Sequence, residues 1–193
     1  DGNGKVTVNA TQAYLDLVSA DNEHEAGWRL YLQCKRIAVA DEVRLKTLAV
    51  EKRLLMMGPD CGTAILDGVP LGFANAVARG SVGIVAASGT GAQEVSRLLD
   101  GAGAGVSQLI GVGGRDLSAE VGGLMANLAL DFLIDDPDTT VIMMVSKPPA
   151  PEVADALLAR LAGIAANGTP VVACFLGQDD SDTDGVLVRG TLE

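Results

Sequence analysis

The chain has 193 residues, a length that supports one well-packed domain and part of a second. Hydrophobic residues make up 48% of it and aromatic residues only 3%, which favours an α/β protein packed with aliphatic side chains. The net charge of −11 argues against a basic nucleic-acid groove, and no apolar segment has the length of a membrane span. We therefore expect neither nucleic acid nor membrane among its partners.

The cysteines and the start of the chain give a second set of expectations. Cys34, Cys61 and Cys174 are odd in number and far apart, which favours reduced thiols and a cytoplasmic location. The chain does not begin with Met, which suggests a fragment or a processed chain. Residues 1–7 resemble the centre of an EF-hand loop, but Ala10 stands where a bidentate Glu is required, so we expect no metal site.

The periodic pattern of apolar residues is weak near the start of the chain and becomes regular further along. Residues 1–36 are polar and weakly periodic, and apolar residues recur at helical spacing from 43 to 50. Residues 54–57 read as a buried strand that ends at a Gly-Pro pair, and 63–80 read as a connector with turns at 67–68 and 79–80.

Strands and helices alternate in the rest of the chain. The apolar pattern predicts strands at 82–86, 107–112, 140–146 and 170–176, helices at about 91–100, 118–134 and 151–166, and an acidic segment at 179–184. Such alternation implies an α/β fold with a parallel sheet and helices on both faces. The loops that follow the strands then meet at one edge of the sheet, where ligands bind.

The loop after the first of these strands reads Ser88, Gly89, Thr90 and Gly91 and leads into a helix. The free N–H groups and the positive dipole end of a helix N-terminus bind anions, so these residues are the predicted phosphate site. The loop lacks the Lys of a Walker A motif, which disfavours autonomous nucleotide hydrolysis. In the alternative reading, the glycines only permit a tight turn.

Two further loops add cations and small residues to this edge. Gly113 and Gly114 allow close backbone approach, and Arg115 can clamp a carboxylate or phosphate. Arg115 and Asp116 can equally form a surface pair at a helix cap, with Asp116 or Ser118 as the N-cap. Ser146 and Lys147 end the third strand, where Lys147 is either a site cation or a solvated residue at the rim. Asp60 and Cys61 follow the predicted strand at 54–57 and are expected to contact substrate, while a nucleophilic Cys61 is disfavoured because no His is near it in sequence.

Four motifs occur in one order: MGPDCGT at 57–63, GIVAASGTG at 83–91, GGRDLS at 113–118 and VSKPPA at 145–150. Together they resemble the FdrA family, relatives of the succinyl-CoA synthetase α subunit and of ADP-forming acyl-CoA synthetases. The resemblance implies a Rossmann-like CoA-binding domain followed by a flavodoxin-like ligase domain. Residues 1–62 would then be a divergent or truncated N-terminal region with the end of the first domain, and residues 63–193 the succinyl-CoA synthetase-type domain. It also implies that the helix after Ser88 holds the phosphate.

The chain departs from the ligases at two places that matter for mechanism. The ligases carry a phosphohistidine after the last matched strand, where this chain reads FLGQDD at 175–180, and its single His is His24. Lys147 stands where the ligases place a Glu that steadies the histidine. A fixed Lys beside an anion site suits binding of a soluble acyl phosphate better than formation of a phosphoenzyme.

The resemblance implies an enzyme subunit that transfers a carbamoyl group between carbamoyl phosphate and oxamate in allantoin (ureide) nitrogen catabolism. We expect Lys147 and Arg115 to act catalytically, and Gly113, Gly114, Ser146, Asp60 and Cys61 to contact substrate. The alternatives are an ADP-forming acid–thiol ligase subunit of the succinyl-CoA synthetase α type and a non-catalytic anion-binding scaffold. We expect a phosphorylated small-molecule substrate and a hetero- or homo-oligomer, with CoA or nucleotide binding through a partner subunit as the possible cofactor.

Overall fold

The computed structural model describes residues 37–192, which form one eight-stranded sheet with helices on both faces. The helices are α1 (Val39–Glu51), α2 (Gly89–Gly101), α3 (Leu124–Asp135) and α4 (Pro151–Ala166). The strands are β1 (Thr63–Leu66), β2 (Val69–Gly72), β3 (Arg79–Ala86), β4 (Val106–Gly111), β5 (Val141–Ser146), β6 (Val171–Phe175), β7 (Ser181–Thr183) and β8 (Val186–Arg189). The EF-hand-like segment, His24 and Cys34 lie outside these residues.

The sheet has the order β2-β1-β4-β3-β5-β6-β8-β7. Its centre, from β4 to β8, is parallel, whereas β1 and β7 pair antiparallel to their neighbours at the two sides. This confirms the predicted α/β fold with a parallel sheet between helices. Within residues 37–192, no helix is both long and apolar enough to cross a membrane.

The alternation of side chains along the central strands divides the core between the two faces. Val85 of β3 belongs to the larger apolar cluster, together with residues of α1, α3 and α4. Its neighbours Ile84 and Ala86 belong to the smaller cluster, which α2 covers with Ala92 and Val95. Neighbouring residues of a strand point to opposite faces, so a run of apolar residues here reflects a strand buried on both sides.

The structure departs from the local predictions at four places. Residues 54–57 do not form a strand: Met56 and Met57 are buried, but the N–H of Met56 donates to Sδ of Met125 at 3.3 Å instead of joining the sheet. The supposed connector at 63–80 contains the β1–β2 hairpin, turned at 67–68 as predicted, and Arg79 begins β3 rather than a turn. The acidic segment at 179–184 contains β7. The helix predicted at 118–134 begins only at Leu124, after a series of turns.

The order of the strands sets the position of a cleft. Strand β3 connects through α2 to β4 on one side, and β5 connects through α4 to β6 on the other. Ligands of open parallel sheets bind at the carboxyl ends of two such neighbouring strands, where the connections diverge. The loops after β3 and β5 therefore border the expected cleft.

Candidate functional site

A cavity of about 230 Å³ lies at the carboxyl ends of β3, β4 and β5. It brings together most of the residues that the sequence predicts for the site, from four separate segments of the chain. These residues are Asp60, Cys61, Ser88, Gly89, Thr90, Gly113, Gly114 and Lys147. Thr63, Ala86, Ala87, Ala92 and Gly111 complete the lining.

The N-terminus of α2 forms one wall of the cavity. Ser88 is its N-cap: the backbone is extended, and Oγ accepts a hydrogen bond from the N–H of Gly91 at 3.2 Å. The first N–H groups of a helix have no partner within the helix, so Gly89 and Thr90 bring two such donors to the cavity lining. Gly91 is buried and does not line the cavity, and its part in binding phosphate stays a prediction.

Two charged side chains stand at the opening. Lys147 is exposed, directly follows β5, and lines the cavity together with the start of α2. Within residues 37–192 its ammonium group has no hydrogen bond or ion pair, so its charge is available to a bound anion. Asp60 is exposed and has a positive φ of 58°. The cavity thus carries both signs of charge.

The floor is a close contact between the segment that contains Cys61 and strand β4. A Cβ at Gly111 would lie 2.2 Å from Sγ of Cys61 and 2.4 Å from the Thr63 carbonyl oxygen, so only Gly fits there. Gly113 has a φ of 91°, and a Cβ there would lie 2.4 Å from the Pro59 carbonyl oxygen. Burial raises the pKa of the Cys61 thiol, and its contact with the Thr63 carbonyl and the charge of Lys46 only partly offset this. Cys61 is therefore a neutral thiol at physiological pH.

A second cavity, of about 160 Å³, adjoins the first. Both are lined by Ala87, Gly114 and Lys147. The second is also lined by Arg115 and Ser146, two predicted site residues that the first cavity lacks. Gly91 is the one predicted site residue that lines neither cavity. The remaining lining residues are Leu117, Ser118, Pro148 and Ala150. Residues 177–178, at the same edge, line neither cavity: the N–H of Gly177 donates to the carbonyl of Gly190, beyond β8.

A buried ion network supports the loop that carries these glycines. Lys46 of α1 is fully buried and donates to both ends of the loop, to the Val112 carbonyl at 3.0 Å and to Oδ1 of Asp116 at 2.7 Å. Its Nζ also lies 2.9 Å from Oε1 of the fully buried Glu42. Oε2 of Glu42 in turn pairs with Nη2 of Arg115 at 2.8 Å. Two cations therefore balance two carboxylates.

Asp116 and Arg115 do not form the surface pair considered above, because each contacts other groups. The carboxylate of Asp116 is buried and accepts hydrogen bonds from the N–H groups of Met125 and Ala126, so it caps α3 from a distance in sequence. Arg115 reaches Glu42 and also donates to the Ile37 carbonyl at 3.0 Å. Glu42 and Lys46 were not among the predicted site residues, although their spacing of four residues on a predicted helix is typical of an ion pair.

The family becomes clear from comparison with known proteins. Residues 78–176, slightly more than half of the chain and including every residue from β3 to β6, fit the model described as the CoA binding domain. The chain belongs to the CoA-binding domain family. Residues 1–50 match a second model, described as the cell surface antigen C-terminus.

Two curated relatives extend this result. The chain is 55% identical over 160 residues to uncharacterized protein YahF of Escherichia coli (strain K12), covering 81% of this chain and 30% of that protein. It is 30% identical over 115 residues to malate–CoA ligase subunit alpha of Methylorubrum extorquens, covering 58% of this chain and 38% of that subunit. The chain thus spans about a third of the length of these relatives.

Solved structures show the same fold. ATP citrate lyase from Methanothrix soehngenii, in complex with citrate and coenzyme A, matches 93% of this chain and 30% of its own at a TM-score of 0.64 and 14% identity. The dinucleotide-forming acetyl-coenzyme A synthetase 1 of Ca. Korarchaeum cryptofilum, in complex with phosphate and ADP, matches 86% of this chain and 36% of its own at a TM-score of 0.56 and 18% identity. The chain thus contains a CoA-binding domain and shares its fold with these two proteins.

Proposed function

We propose that this chain binds the phosphoryl group of a small acyl phosphate at the N-terminus of α2. It would act as the FdrA-type subunit of a transferase that moves a carbamoyl group between carbamoyl phosphate and oxamate. The observation that carries the proposal is the 230 Å³ cavity, which is lined both by the start of α2 and by Lys147, a lysine with no ion pair among residues 37–192. The reaction, the nitrogen-catabolic role and the partner subunits come from the resemblance and are part of the proposal.

The chemistry of the cavity supports a bound anion more than a covalent intermediate. The N–H donors of Gly89 and Thr90 and the dipole of α2 attract negative charge, and Lys147 adds a full positive charge. Cys61, the nucleophilic side chain on the floor, is held as a neutral thiol. The site can therefore position a phosphorylated substrate and stabilise charge that develops during transfer, without a bond to the protein.

A second candidate has support from the comparisons. The CoA-binding family and the malate–CoA ligase relative favour an ADP-forming acyl-CoA synthetase subunit of the α type, in which a partner supplies the phosphohistidine. Incubation of the chain and its partner with labelled ATP, followed by detection of acid-labile protein phosphate, distinguishes the two. Labelled protein favours the synthetase, and unlabelled protein favours the transferase. A scaffold would bind phosphate in the same cavity but show neither transfer nor labelling.

The test of the binding site is calorimetry on the full chain with carbamoyl phosphate, inorganic phosphate, oxamate and CoA. Lys147→Ala is compared with Lys52→Ala, which removes the other exposed lysine of the described region and lies outside both cavities. We expect Lys147→Ala to weaken phosphate and carbamoyl phosphate about ten-fold, the loss of one charge-assisted contact, and Lys52→Ala to bind like wild type. Equal phosphate affinities in the two variants would show that Lys147 does not contribute to phosphate binding.

A further inference from the structure

The second cavity differs in charge from the protein around it. The chain carries a net charge of −11, yet the charged residues that line this cavity are Arg115 and Lys147, and no acidic residue lines it, although Arg115 pairs with the fully buried Glu42. In the first cavity the corresponding charged pair is Lys147 and Asp60. A concave surface with cations and no carboxylate attracts anions locally, even on an acidic protein.

We propose that the second cavity is a subsite for the carboxylate of a small organic acid, next to the phosphoryl subsite at α2. The proposal rests on the proposed function, because it assigns the two cavities to two anionic groups that are bound side by side. A cavity of about 160 Å³ has room for a short carboxylic acid, and the 230 Å³ cavity has room for a phosphoryl group. The substrate class is thus a phosphorylated donor paired with, or joined to, a small carboxylic acid.

The two cations have different roles in this subsite. The guanidinium of Arg115 is held by Glu42 and by the Ile37 carbonyl, both through Nη2, which leaves its other N–H donors for a ligand. Because Lys46 also pairs with Glu42, this carboxylate is held from a second side, and it in turn positions the Arg115 guanidinium. Lys147 lines both cavities and lies where the two anionic groups would approach each other. Its charge offsets their mutual repulsion.

Gly114 is a residue that the two subsites share. It lines both cavities, it is exposed, and a Cβ built on it meets no atom within 4 Å. Its φ also lies outside the left-handed region that favours glycine. The fold therefore does not require Gly here, and we expect a larger side chain at this position, which borders both cavities, to narrow the space that they share.

The experiment compares two phosphonates of equal chain length on the full protein by calorimetry. In 3-phosphonopropionate a carboxylate replaces the terminal methyl group of propylphosphonate, and inorganic phosphate reports on the first subsite alone. For wild type we expect 3-phosphonopropionate to bind about ten-fold tighter than propylphosphonate, the gain of one charge-assisted contact. We expect Gly114→Val to abolish this gain and to weaken 3-phosphonopropionate more than inorganic phosphate, although Gly114 lines both cavities.

Gly163→Val is the matched control, because Gly163 is an exposed residue of α4 whose Cβ also meets no atom within 4 Å. It should keep the ten-fold preference. If phosphate binds to wild type but the two phosphonates bind equally, the carboxylate subsite is overturned and the phosphoryl site stands. The same holds if Gly114→Val weakens phosphate as much as 3-phosphonopropionate. If wild type binds no phosphate, the proposed function itself fails.

Discussion

At the scale of single residues, the most consequential feature is the buried network of Glu42, Lys46 and Asp116 with Arg115. Three of these side chains are completely buried, and ionised groups are costly to bury unless every charge is paired. Lys46 sits at the centre because it contacts both carboxylates and the Val112 carbonyl. It thereby ties α1 to both ends of the loop that carries Gly113 and Gly114.

Replacing Lys46 with Met tests this arrangement. The apolar chain of Met occupies a similar volume but leaves Asp116 without a cation and Glu42 with only Arg115. We expect the free energy of unfolding to fall by about 3–5 kcal/mol, the cost of removing one partner from a buried ion pair. Urea denaturation measures it, with Lys52→Met as the control, which should stay within about 0.5 kcal/mol of wild type because Lys52 is exposed. A small loss in Lys46→Met would mean that water enters the network.

Cys61 gives a prediction about pH. Burial raises the pKa of its thiol, so the unfolded chain loses this proton at a lower pH than the folded chain does. The stability that the protonated thiol contributes is fully present below the ordinary thiol pKa. It is lost as the pH rises through the higher pKa of the folded chain. Between about pH 8 and about pH 10, the unfolding free energy of wild type should fall more steeply than that of Cys61→Ala. Parallel pH profiles from urea denaturation would contradict it.

At the scale of elements, α2 contributes to the site only through its first turn. Its N-cap Ser88 already satisfies the N–H of Gly91, so the ligand depends on the donors of Gly89 and Thr90. Ser88 has φ −137° and ψ 109°, an extended conformation that also suits a residue before proline. Position 89 is the first of the helix, where proline is tolerated. One donor can thus be removed while the helix is kept.

We therefore expect Gly89→Pro to weaken phosphate binding about ten-fold or more, since it replaces an N–H donor with a ring methylene. Gly89→Ala is the control: it keeps the N–H, and its Cβ would lie 3.7 Å from Oγ1 of Thr63, an ordinary contact. Calorimetry gives the affinities, and circular dichroism and thermal unfolding check that both variants fold. Equal phosphate affinity in the two would show that the N–H of residue 89 is not a ligand.

The elements that the sequence predicted well are those whose own pattern determines them. The helix at 151–166 was predicted with the bounds of α4, because Pro151 opens it and its apolar residues repeat at helical spacing. The short β1 and β2 lack such a signal, since one is buried at every residue and the other is largely exposed. The place of β1 in the sheet also depends on Ile65 pairing with Leu109 of β4, a contact between distant parts of the chain.

The same distinction explains which residues of the site could be predicted from the sequence. Ser88 and Lys147 were predictable because they follow apolar strands, and the ends of parallel strands must meet at one edge. The burial of Lys46 was not, because it depends on how α1 crosses the loop at 112–116. Nor could spacing show that Gly111 is required by Cys61 and Thr63, which approach it from the β1 side.

At the scale of the whole molecule, α1 lies on the N-terminal side of residue 62, where the first of the two predicted regions ends. The sequence places a domain boundary there, and that boundary stays a prediction. The packing of α1 bears directly on it: Leu45 and Ala49 are fully buried in the larger core cluster, and α1 packs against α3. Lys46 and Asp116 join the same two elements through charge.

We expect α1 and α3 to unfold together, because each covers apolar surface and balances charge for the other. Native-state hydrogen exchange in low urea, resolved by mass spectrometry, should give amides of the two helices the same opening free energy, near that of global unfolding. Lys46→Met should lower both by the same amount, whereas Lys52→Met should change neither. Exchange through α1 at a much lower free energy, with α3 still protected, would instead place a structural boundary near residue 62. The lysine network would then be a contact between two units, and the loop at 113–116 would depend on their docking.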